Sequence, residues 1–147
     1  MFSILAGAFD KEYTMAGTVI YVLATYALML AAFHHARSRR FHIPVMIFIM
    51  ISDLLFPIYL VLTRDWYQRL IVDEDILTFG VWVHFMLLVT LFVLYFVQIQ
   101  AGRRLLRGES DPRVRQEHRA QGMGILLVRA FVILTGALLV QPADVGV

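Results

Sequence analysis

The chain has 147 residues, of which 60% are apolar and 16% charged, and its formal net charge is +2. This apolar share and a mean hydropathy of +0.73 stand well above an average soluble domain, which is roughly 45–50% apolar. The composition is that of a membrane protein and leaves no room for a separate soluble catalytic domain, while the lack of cysteine excludes disulfides, thiolate metal centres and a cysteine nucleophile.

The opening MFSILAGAFDKEYTM has no basic n-region followed by a small-residue cleavage site, and its first charges are Asp10, Lys11 and Glu12. It therefore reads as a retained segment. A span needs about 20 apolar residues, and four segments are long enough: 15–36, 43–63, 76–101 and 122–141. None alternates as a barrel strand would, and only helices satisfy their own backbone so economically in lipid. The expected fold is all-α, an integral membrane four-helix bundle that fills residues 1–147 as a single transmembrane domain. Pro44 falls in the first turn of its helix, where a missing amide is harmless, whereas Pro57 lies in the interior and predicts a kink.

Charge sets an expected orientation. The first connection carries Arg37, Arg39 and Arg40, and the third carries Arg103, Arg104, Arg107, Arg113, Arg115 and Arg119. The other side has Lys11, Arg64 and Arg69, diluted by Asp65, Asp73, Glu74 and Asp75. The positive-inside rule then places both arginine-rich connections in the cytoplasm and both termini on the outer, periplasmic side, with Trp66, Tyr67 and Trp82 at the outer interface. The stretch GRRLLRGESDPRVRQEHRAQG has no aromatic residue for base stacking. Its arginines are accounted for by topology and anionic headgroups, not by nucleic acid.

Two charges fall inside spans, Asp53 in MISDLLFP and Arg129 in LLVRAFV, where each costs roughly 2.5–3.5 kcal/mol. At 1.5 Å per residue they lie roughly 16 Å and 10 Å from the cytoplasmic boundary, close enough for an ion pair. Such a pair either fixes helix register or serves a cofactor, proton or quinone site. The histidines sort by depth. His34, His35, His42 and His118 belong to the cytoplasmic boundary, while His84 lies in the third span nearer the outside, about 20 Å or more away along the axis. Imidazole suits haem iron, copper and zinc, so His42 with His118 is the candidate cofactor or metal pair and His84 a separate candidate. Interface histidines that only hydrogen-bond are the competing reading. Phosphate-cradling glycine loops, HExxH, nucleophile elbows and paired catalytic carboxylates are absent from the sequence, so no catalytic residue is assigned.

RRFHIPVM, WVHFMLLV, EHRAQG and ILTGALL occur in this order and resemble a family of small four-helix, histidine-bearing bacterial membrane proteins that includes the CtaM-type maturation factors of cytochrome oxidases. The family pattern falls here on His42 with Met46, on His84, on His118 with Arg119, and on Thr135 with Gly136. The chain departs from it at FPIYLVLTR, which lacks the histidine that members often carry at the outer end of span two, and at GILLVRAF, which introduces Arg129; Asp53 is not a family feature. The resemblance implies a multi-pass protein of the bacterial inner membrane and respiratory electron-transport chain. Such a protein would assemble or accompany a haem-copper oxidase and possess a haem b or copper site at His42, His118 or His84. A bis-histidine haem b electron carrier to or from quinone, and a cofactor-free accessory subunit of a larger membrane complex, are the alternatives.

Overall fold

The computed structural model describes residues 2–63, 79–108 and 111–139, with side chains from residue 17 onward. Its described residues form four helices: α1 (Phe2–His34), α2 (Arg39–Thr63), α3 (Phe79–Leu106) and α4 (Pro112–Leu138). Each is long and apolar enough to cross a membrane, by length and composition. The shortest has 25 residues, about 37 Å of helix against a hydrocarbon core of about 30 Å. Large apolar side chains such as Ile20, Ile47, Leu54, Phe96 and Leu127 stand exposed, a pattern that water would penalise and lipid tolerates.

The chain divides into two compact units, Met1–Ile49 and Met50–Val147, with the boundary inside α2. In the first, α1 gives way to α2 through a tight turn in which the amides of Phe41 and His42 donate to the Ser38 carbonyl at 3.1 and 2.9 Å. Three histidines bond carbonyls in the last turns of α1. Nδ1 of His34 bonds the Leu30 carbonyl, that of His35 the Ala31 carbonyl, and that of His42 the Ala32 carbonyl at 2.9 Å. Carbonyls near a helix C-terminus carry partial negative charge, which makes them natural partners for imidazole N–H even where a backbone amide also donates, as His35 does to Ala31 at 2.9 Å.

In the second unit α3 and α4 pack along their length as antiparallel neighbours. The seam is built from Leu91, Tyr95, Gln98 and Ala101 of α3 and from Val114, Gly122, Ile125 and Arg129 of α4. Glycines set the approach and the register. A β-carbon at Gly80 would meet Leu139 at 3.3 Å, one at Gly136 would meet His84 at 3.3 Å, one at Gly124 would meet Leu94 at 4.0 Å, and one at Gly102 would meet His118 at 3.6 Å. Close backbone approach through small residues is how membrane helices gain packing energy when lipid is as apolar as leucine.

The helices run further than the apolar segments suggest. α3 continues to Leu106 and α4 begins at Pro112, so most of the arginine-rich stretch is helical and His118 sits in the second turn of α4. The cause is local chemistry: Arg, Leu, Gln and Glu are good helix formers, Asp111 caps α4 by accepting from the Arg113 amide at 2.8 Å, and Pro112 takes the first helical position. Gly108, at φ +87°, supplies the left-handed residue that turns the chain out of α3. α2 runs unbroken through Pro57. Proline has no amide to give the carbonyl four residues back, and that residue is Asp53.

Candidate functional site

The second unit holds three polar contacts in sequence along its α3–α4 seam. The middle one joins three helices. Asp53 of α2 accepts from the Tyr95 hydroxyl of α3 at 2.5 Å on Oδ2 and from Arg129 Nη2 of α4 at 2.7 Å on Oδ1. Tyr95 is 4% exposed, and the two charged side chains are 14% and 4% exposed. One carboxylate thus takes a neutral donor on one oxygen and a charged donor on the other. The pair carries no net charge, which is the form in which ionised groups persist in an apolar setting.

One contact lies toward the α3 N-terminus. His84 Nδ1 and Thr135 Oγ1 are 2.8 Å apart, and the Thr135 hydroxyl gives its proton to the Phe131 carbonyl at 2.8 Å, with Val132 at 3.2 Å. With the Thr135 proton given to α4, its oxygen accepts from the ring, the arrangement that goes with the proton on Nδ1 and the lone pair on Nε2. Among the described residues Nε2 has no hydrogen-bond partner. Gly136 then sets the ring's position, since any β-carbon there would press on Cε1. A neutral imidazole with one nitrogen held by a neighbour and a lone pair on the other is the form in which histidine binds haem iron or copper.

The third contact lies near the arginine-rich end. Gln98, 5% exposed, approaches His118 with Nε2 to Nε2 at 3.4 Å, and the ring rests over Gly102. The Oε1 atoms of Gln98 and of Gln121 are buried and have no hydrogen-bond partner.

Of the residues expected from sequence, Asp53 and Arg129 come into contact. His84 is joined by Thr135 and Gly136, residues that only the family resemblance picks out. His118 belongs to the second unit and is engaged by Gln98, whereas His42 belongs to the first, where its Nδ1 is engaged by Ala32. On the α3–α4 register His118 lies opposite Gly102, about 27 Å along the axis from His84. Among the described residues no group of three His, Cys, Asp or Glu side chains could hold a metal ion, and His84 belongs to no such group. Trp66, Tyr67 and the acidic run 73–75 lie outside the described residues. Tyr95 and Gln98 carry no sequence motif, and Gln121 lies in EHRAQG without being one of the residues that the family pattern singles out. The signal for Gln98 was its place in LYFVQIQ, an amide inside an apolar run. No protein-family model, curated protein or solved structure matches the chain.

Proposed function

We propose that this protein is a bacterial inner-membrane companion of a haem-copper oxidase, acting in its assembly or remaining bound to it, with both arginine-rich ends in the cytoplasm and both termini outside. The observation that carries the reading is the meeting of His84 with Thr135 and Gly136. These motif residues lie on two helices and about fifty positions apart, and together they leave an imidazole with its Nε2 lone pair available.

The residues fit a haem or a copper ion as one ligand of an incomplete set, and a bound group of either kind would supply redox chemistry. This chain's part is to hold the imidazole: Thr135 keeps the proton on Nδ1, and Gly136 lets the ring lie against α4. A single ligand suits a protein that works next to a larger partner, because the remaining ligands can come from that partner. The reading is tested by purifying the protein in mild detergent and recording absorbance, oxidised and reduced, with metal analysis and identification of co-purifying proteins. The expected result is co-purification of oxidase subunits, with a haem band or copper that is lost in His84→Ala. Colourless, metal-free protein that brings down no oxidase subunit overturns it.

A further inference from the structure

We propose that Gln98, Gln121 and His118 form an internal water-binding site through which the arginine-rich end of the seam exchanges protons with the Tyr95–Asp53 pair. The pairs formed by Gly80 with Leu139, His84 with Gly136, Leu94 with Gly124 and Gly102 with His118 define one continuous antiparallel register. On it Gln98 lies level with Gln121, and His118 is one turn nearer the helix ends. Two amide oxygens therefore sit at one depth on facing helices, both buried and both without a donor. Buried acceptors in native proteins are almost always satisfied, by protein or by ordered water, and one water molecule brings two protons to such a pair. A metal cation is the weaker occupant, because Arg103 and Arg104 lie one to two turns from Gln98, and Arg115 and Arg119 flank His118.

The position gives the water a use. Tyr95 and Gln98 are both buried on the same face of α3, one turn apart, and the Tyr95 hydroxyl donates to Asp53. Water at Gln98 lies one turn from Tyr95 toward the arginine-rich end, while Leu91 lies one turn from Tyr95 in the other direction and Ile125 level with it, both almost fully buried. Access runs from the arginine-rich end.

The test is solid-state NMR of the full chain in lipid bilayers, with glutamine side-chain amides and tyrosine Cζ labelled and Tyr95 assigned with Tyr95→Phe. With backbone amides labelled as well, magnetisation from water is expected to reach the Gln98 side-chain amide about as fast as that of the exposed Gln116, and several-fold faster than the backbone amide of the equally buried Leu91. The Tyr95 hydroxyl, read from the deuterium isotope shift of Cζ, is expected to exchange about tenfold more slowly in Gln98→Leu and in Gln121→Leu. Gln121 is only partly buried, so its variant keeps the test decisive if Gln98→Leu does not fold. A Gln98 amide as slow as Leu91, or a Tyr95 exchange rate unchanged in Gln121→Leu, overturns the proposal.

Discussion

At the residue scale the decisive property of the Asp53–Tyr95–Arg129 cluster is that its members compensate one another. Removing one charge leaves the other buried and alone, so Asp53→Ala or Arg129→Ala is expected to lose about 3–5 kcal/mol of stability. The double variant Asp53→Leu with Arg129→Met removes both charges and is expected to recover most of that loss. Tyr95→Phe deletes one hydrogen bond to a charged acceptor and is expected to lose about 1.5–3 kcal/mol. Thermal unfolding of the four variants in one detergent checks the order, and a double variant no better than the singles would contradict the account. The His84 ring presents a finer test, because its tautomer depends on one hydroxyl. Thr135→Ala is expected to remove the single Nδ1–H signature from the nitrogen spectrum of His84 and to lose about 1 kcal/mol, while Thr135→Ser keeps both. A His84 spectrum unchanged in Thr135→Ala would mean that the hydroxyl does not set the tautomer.

At the element scale the helices exist because apolar runs in lipid must satisfy their own backbone, but their ends are set by single residues. Asp111 and Gly108 are the clearest. Asp111→Ala removes a cap and is expected to lose about 1 kcal/mol. Gly108→Ala forces a β-carbon into a left-handed backbone and is expected to lose about 1–2 kcal/mol. Both should raise amide exchange locally, in the last turn of α3 and the first of α4, with little change at Leu91 or Ile125; exchange rising along the whole seam would instead assign these residues to its packing. The same residues show where sequence was legible. The four apolar segments, and the presence of Asp53 and Arg129 within two of them, follow directly from hydropathy. The extension of α3 and α4 through the arginines does not, because a span is read from apolarity and a helix from propensity and capping. The partners of the site were harder still. Nothing in LYFVQIQ says that Tyr95 meets Asp53, because four helices that are apolar all round do not advertise which face meets which. Thr135 is visible only through the family resemblance. The bonds of His34 and His35 to carbonyls four residues back are local to α1, whereas that of His42 to Ala32 required the turn at Ser38.

At the scale of the whole molecule the arginines and the helix count make one claim together. If all four helices cross, the turn at Ser38 and the turn at Gly108 are separated by two crossings and share a side of the membrane, and the positive-inside rule makes that side the cytoplasm. The chain contains no cysteine, so a single introduced thiol reports its own position without background. Ser38 and Arg107 are both exposed and lie outside the helices, which makes Ser38→Cys and Arg107→Cys tolerable reporters. A membrane-impermeant maleimide is expected to leave both variants unlabelled in intact cells with a permeabilised outer membrane, and to label both in inverted vesicles. Labelling of both from outside would reverse the proposed orientation and with it the cytoplasmic source of protons for the Gln98 site. Labelling on opposite sides would mean that α2 or α3 does not cross. The buried ion pair gives the crossing reading its physical weight. Asp53 and Arg129 both lie several turns from the ends of their helices, and neither can reach a headgroup without breaking its contact with the other. A helix lying on the membrane surface would have no reason to bury them, so the topology and the central cluster stand or fall together.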